Sequence, residues 1–413
     1  MQPLREFLHT EASGGVLLVI AAVLALVWAN SPWSAGYDTL WNTKVGFQLG
    51  SHSLVMDLRH WINDGAMAIF FLVVGLEIKR EVTEGELRKP KDAALPALAA
   101  LGGMVVPALI FFVVNSGETT AHGWGVPMAT DIALALGVVS LLGARVPSGA
   151  KVFLLALAIV DDIGAIIVIA LFYGDGISIV PLVGALAVLL AVWLLRRNGI
   201  TVIGVYIALG VGLWLCLHAS GVHATLAGVA MGLMTPVAPH TPTELIDDEE
   251  LTDISTLESA MTTVNLARSA MPMVEWLEYK LHPLTSYLIV PVFALANTGL
   301  HLSSSEVRTA ATSPVGLGIL AGLILGKPVG ILLATWLGTT RGLSLPTGMT
   351  LRTVAAIGLV GGAGFTVSLF VSELAFNDEA TVSAAKLAVL IASMVASAAG
   401  AGALLALSRT DPR

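Results

Sequence analysis

The sequence predicts an all-α, polytopic membrane protein of twelve transmembrane helices, with inverted-topology repeats and two broken helices at the fourth and eleventh spans. Three observations carry that expectation. Apolar residues make up 56% of the 413-residue chain and charged residues only 12%, with a mean hydropathy of +0.85. That is too little charge to cover a soluble domain of this length. The apolar residues also fall in runs of membrane-crossing length, without the even alternation of barrel strands, so backbone groups in hydrocarbon must be satisfied within helices. Finally, Lys and Arg segregate to alternate loops.

The twelve spans are placed at Gly14–Ala29, Trp61–Glu77, Ala93–Val114, Gly123–Leu142, Lys151–Tyr173, Val180–Leu195, Val202–Leu217, Gly221–Thr235, Leu281–Ala296, Val315–Leu337, Val354–Ala375 and Ser383–Leu407. With the N-terminus inside, the outer segments hold only Lys44, Arg59 and Arg308, and every other loop cation is cytoplasmic. Both termini are then cytoplasmic. The residues before the first span carry Glu6 and Glu11 against Arg5, a poor start for a cleaved signal, so the first span is read as retained. Residues 1–413 form one integral membrane domain.

Two loops stand out. Lys44–Arg59 alternates through Val45, Phe47, Leu49, Leu54 and Met56 around Gly50-Ser51-His52, which predicts an extracytoplasmic hairpin. Pro236–Glu275 carries Asp247-Asp248-Glu249-Glu250 among prolines and threonines and is read as a solvated cytoplasmic loop. The net charge of −8 has no opposing basic stripe, which argues against nucleic acid as a partner. The single cysteine, Cys216, lies in an apolar run, so there is no disulfide framework. No cofactor is implied.

The fourth span is interrupted at Pro127-Met128-Ala129-Thr130-Asp131, and the eleventh at Gly358, Gly361, Gly362 and Gly364. Irregular backbone at membrane depth is tolerated only where protein or a cavity covers it. The two spans run in opposite directions, and corresponding breaks in inverted halves point to a transporter's binding site. The repeats are placed at about 93–173 and 315–407, on topology rather than on residue-level similarity.

Charges inside spans are costly and few: Asp131, Asp161, Asp162 and Lys327 lie deep, with Asp64, Glu373 and Lys386 nearer the ends. Asp161 and Asp162 are adjacent in an otherwise apolar helix, rotated by about 100° from one another. Two anions so close in a low dielectric repel, and they shed charge by binding protons or a small hard cation that prefers oxygen. Competition of protons and a metal ion for one site is the physical content of an antiporter. Lys327 demands an acidic partner, and both pairing with Asp161 and carrying a proton are open to it. For Asp131, compensation of helix dipoles is favoured over ion ligation. Thr130 offers an oxygen ligand, although bonding back to its own helix is the commoner fate. At the inner end of the second span, Glu77, Lys79, Arg80, Glu81, Glu84 and Glu86 form a mixed-charge cluster. A solvated helix end and a pH-sensitive regulatory group are equally good accounts of it.

With these residues in place, the chain resembles the NhaA family of bacterial sodium/proton antiporters. The resemblance rests on Leu76-Glu77-Ile78-Lys79-Arg80-Glu81, Ala129-Thr130-Asp131-Ile132-Ala133, Val160-Asp161-Asp162-Ile163-Gly164, Gly326-Lys327-Pro328 and Gly361-Gly362-Ala363-Gly364-Phe365-Thr366, in order along nearly the whole chain. It implies a bacterial inner-membrane exporter of Na+ or Li+ in exchange for H+, working electrogenically for sodium and pH homeostasis and not as an enzyme. It further implies that Asp161 and Asp162 form the cation and proton site, with Asp162 the principal sodium ligand. Lys327 would pair with Asp161, and Asp131 would offset the crossed half-helices. Glu77, Arg80, Glu81, Glu278 and His282 match positions linked to activation at alkaline pH. The Lys44–Arg59 hairpin matches a homodimer contact, with membrane lipid as the remaining partner. Tyr279 departs from the pattern, standing where some members have histidine.

Other classes are weaker. An intramembrane aspartyl protease would need a Gly-x-Gly-Asp context, which Ile159-Val160-Asp161-Asp162 lacks. A sodium-coupled symporter would need solute-binding polar groups beyond the carboxylates, and a channel a repeated filter motif.

Overall fold

The computed structural model describes residues 2–49, 52–174, 176–200, 202–237 and 272–410. Most of the expected acidic loop therefore lies outside the described residues. Among them, eight helices are long and apolar enough to cross a membrane, and ten are if each of two bent pairs counts as one span. The chain divides into two compact units, one of residues 1–67, 89–175 and 286–413, the other of 68–88 and 176–285.

In the first unit, Pro90–Val114, Ser148–Phe172, Pro314–Thr340 and Glu379–Arg409 are four of the long helices. Leu95, Ala99, Leu136, Phe153, Leu157, Ile331, Val354 and Ile357 belong to one buried apolar cluster among them. Lipid tails give apolar side chains no reason to prefer a neighbouring helix, so association in a membrane depends on close contact through small residues. Pro90–Val114 and Pro314–Thr340 meet in this way. A Cβ on Gly102 would run into the Gly330 carbonyl oxygen, and one on Gly330 into that of Gly102.

The segments expected as the fourth and eleventh spans both depart from continuous α-helix. Thr119–Met128 is a 3₁₀ helix, Ala129 and Asp131 are extended, and an α-helix resumes at Ile132–Leu141. Pro127 cannot donate a hydrogen bond, which suits it to irregular backbone of this kind. Helices Leu351–Gly361 and Phe365–Ala375 are bent by 50° at the glycine-rich link.

The hairpin pairs Lys44–Leu49 with His52–Asp57 in antiparallel register. Val45 faces Met56 and Phe47 faces Leu54, so the alternating apolar residues share one face. The indole of Trp61 donates to the Val45 carbonyl at 2.8 Å. Phe47 is 76% exposed.

The second unit contains Ile179–Arg197, Ile203–Ser220, Leu226–Met234, Met273–Leu284 and residues 68–83 of Leu58–Thr83. Gly221, at φ +80°, ends the Ile203–Ser220 helix in the left-handed region that favours glycine. Gly228 and Gly232, four apart on one helix face, lie against the Ala68 and Leu72 carbonyls, another contact that leaves no room for a side chain.

Candidate functional site

The first unit brings Asp161, Lys327, Asp131 and Thr130 together at the two interruptions. Asp161 and Asp162 project from Ser148–Phe172 and are 0% and 5% exposed. Lys327, fully buried, follows a single π-helical turn, Gly322–Gly326, and precedes Pro328. Such a turn inserts a residue into the helix and re-aims the side chains that follow. The Lys327 ammonium donates to Asp161 Oδ2 at 2.6 Å and to the Met128 carbonyl. Met128 is the last residue of the 3₁₀ helix, so the ammonium sits at the electronegative end of that segment. Asp161 Oδ1 is buried and accepts no hydrogen bond among the described residues. Asp162 also lies within electrostatic reach of Lys327.

Asp131 bonds two helix N-termini at once. Its Oδ1 accepts from the backbone N–H of Leu134 at 2.9 Å, capping its own helix. Oδ2 accepts from the Thr366 backbone N–H at 2.9 Å and the Thr366 hydroxyl at 2.6 Å, at the start of Phe365–Ala375. A carboxylate between two N-termini answers the partial positive charge of both. The Thr130 hydroxyl donates to the Gly361 carbonyl at 2.9 Å, on the last residue of Leu351–Gly361, and the Asp131 N–H donates to Ala363 at 2.7 Å. The glycines of the link permit this approach: a Cβ on Gly364 would stand 2.9 Å from the Ala129 carbonyl. The two interrupted segments thus hold one another through backbone polar groups, with an acid at the N-terminal ends and a base at a C-terminal end.

In the second unit, Arg80 meets Glu278 at 2.6 Å, and Glu77 lies 3.9 Å from His282. Glu81, also buried, acts electrostatically on Glu278. Burial pushes the Glu278 carboxyl above the ordinary range, and the nearby Arg80 and His282 only partly offset that rise. Glu275 is also raised, by burial and by its contact with Glu84.

Sequence reasoning gave no role to Thr366, the Met128 carbonyl or Glu275. A hydroxyl just after the glycine-rich link was a usable signal for Thr366, because the first residues of a helix present unbonded N–H groups. A carbonyl acceptor leaves no such mark.

A buried ammonium–carboxylate pair beside a second buried acid, where apolar helices turn irregular, is an arrangement that suits a membrane protein of the secondary-transporter class. A family model described as Na+/H+ antiporter 1 matches residues 5–404. The chain is 47% identical to Na(+)/H(+) antiporter NhaA 3 of Frankia alni, over 99% of this chain and 89% of that protein. It is 46% identical to Na(+)/H(+) antiporter NhaA of Janthinobacterium sp., over 96% and 91%. It is also 46% identical to Na(+)/H(+) antiporter NhaA of Oleidesulfovibrio alaskensis, over 97% and 93%. The chain belongs to the Na+/H+ antiporter 1 family, the NhaA antiporters.

Proposed function

We propose that the protein exports Na+ or Li+ across the bacterial inner membrane in exchange for entering H+, with Asp161 and Asp162 as the shared site. The observation that carries this is the Asp161–Lys327 pair with Asp162 adjacent: three ionisable groups buried where apolar helices are interrupted. With all three charged, the set carries one net negative charge, which either a proton or a monovalent cation neutralises. Asp162, next to the ion pair rather than consumed by it, is the principal sodium ligand. A cation drawing oxygens from both carboxylates competes with Lys327 for Asp161. If both acids cycle, more than one proton enters per sodium, and turnover moves net charge.

Asp131 and Thr130 hold the crossed half-helices and offset their dipoles. Twelve spans in inverted repeats, with both termini cytoplasmic, suit this assignment: Leu226–Met234 lies within the short eighth span, Gly221–Thr235, and most of Val290–Asn297 lies within the ninth, Leu281–Ala296. Glu77, Arg80, Glu81, Glu278 and His282 form the pH-responsive cytoplasmic group. The exposed Phe47 and Val45 of the hairpin support a homodimer formed through that ribbon, in surrounding lipid.

The test is pH-gradient-driven sodium flux into proteoliposomes. Asp162→Asn should abolish it while the folded yield stays at wild-type level. Flux at the wild-type rate in that variant refutes the assignment.

A further inference from the structure

Phe365–Ala375, the half-helix whose first turn bonds Asp131, is anchored at both ends. Glu373 lies seven residues after Thr366. Seven residues are about two turns, which returns a side chain to within roughly 20° of the same face. The two anchors therefore lie along one stripe of a short helix. At the far end, Glu373 accepts from the ammonium of Lys386, which is 4% exposed and belongs to Glu379–Thr410. The same ammonium donates to Asn297 Oδ1 at 3.2 Å. Asn297 Nδ2 in turn donates to Asn63 Oδ1 at 2.7 Å and to the Phe293 carbonyl at 3.0 Å. One chain of polar contacts thus joins four helical segments, and Arg59 acts electrostatically on Lys386 from the same region.

An ion pair of this kind is weak evidence for stability, because apolar groups of the same size do as well. Its value lies in fixing position: Lys386 is buried while the Glu373 side chain is about a quarter exposed, so losing Glu373 strands the ammonium. We propose that Glu373, Lys386, Asn297 and Asn63 form a latch. It fixes the outer end of this half-helix, so that the Thr366 end holds Asp131 in register with the Asp161–Asp162 site. These four are positioning residues: loosening the latch weakens cation binding and leaves the exchanging carboxylates untouched. The inference rests on the antiport reading above.

The experiment compares Glu373→Gln, Lys386→Met and the double variant, as full-length protein. Sodium dependence of exchange is measured in proteoliposomes, and amide hydrogen exchange over residues 365–375 in detergent. Both single variants should raise the apparent KM for sodium roughly threefold or more with a smaller effect on maximal rate, and speed amide exchange across the half-helix. In the double variant no charge is stranded, so thermal stability returns, yet the raised KM and fast amide exchange persist. A double variant with wild-type KM and wild-type amide exchange overturns the latch, as do single variants whose only loss is in folded yield. If the wild-type protein moves no sodium, the antiport reading fails, and the amide-exchange arm alone decides whether the latch exists.

Discussion

Asp161 and Lys327 stake the most on one another. Removing one partner of a buried pair costs about 3–5 kcal/mol, whereas replacing both costs little. Lys327→Met should therefore lower the melting temperature sharply in detergent, and Asp161→Asn combined with Lys327→Met should recover it. Neither variant should exchange sodium for protons. A single variant as stable as wild type would show that the pair is not buried as described. Thr366→Val keeps the backbone bond to Asp131 but loses the 2.6 Å hydroxyl bond, a loss of about 1.5–3 kcal/mol for a bond to a charged group. It should raise the sodium KM while exchange continues. The deep charges were legible in the sequence because hydrocarbon makes each one conspicuous. The carbonyl that completes the arrangement was not, since backbone carbonyls occur in every span, and the place of Thr366 after the glycine-rich link marked a helix start without naming its partner. Thr366 bonds a residue 235 positions away, a distance no local pattern encodes.

At the scale of elements, the glycines that bring helices together are the weak points. Gly330→Leu would drive a side chain into the Gly102 carbonyl, whereas Gly212→Ala meets nothing within 4 Å. Overpacking of this kind typically costs about 1–3 kcal/mol. Gly330→Leu should lower yield and melting temperature, and Gly212→Ala should leave both unchanged. Equal tolerance at the two positions contradicts the packing. The 3₁₀ stretch before Asp131 and the 50° bend at the glycine-rich link were readable as irregular backbone from Pro127 and the Gly358–Gly364 cluster, because those residues are poor in a helix interior. The direction in which each piece turns was not readable. It depends on Asp131 and Thr130 finding partners on the other interrupted segment. The hairpin was readable because Val45, Phe47, Leu54 and Met56 alternate along the two strands, and the structure pairs Val45 with Met56 and Phe47 with Leu54 on one face.

For the whole molecule, pH acts on stability through the buried cluster around Glu278. Burial raises Glu278 above its ordinary carboxylate value of 4.5. The folded state therefore binds a proton more tightly than the unfolded chain. Stability from this group is complete below the unfolded value and is lost as pH rises through the raised folded value. The cluster around Arg80 and Glu278 should loosen as pH climbs. Glu278→Gln should flatten the pH dependence of melting temperature above 4.5 and shift the pH profile of transport. An unchanged pH dependence in that variant removes Glu278 from the cluster's titration. Shortening the hairpin should leave a monomer that still exchanges ions, because Asp161, Asp162 and Lys327 all lie in one chain. Sedimentation in detergent reads the first outcome and vesicle flux the second.

The central claim is that hydrogen ions and sodium compete for the same two carboxylates. Calorimetric titration of the purified protein with sodium, in buffers of different ionisation enthalpy and across pH, tests it most directly. Sodium binding should release protons, its apparent affinity should fall as pH falls, and Asp162→Asn should abolish both. Sodium that binds with unchanged affinity at every pH, and displaces no proton, would contradict the account.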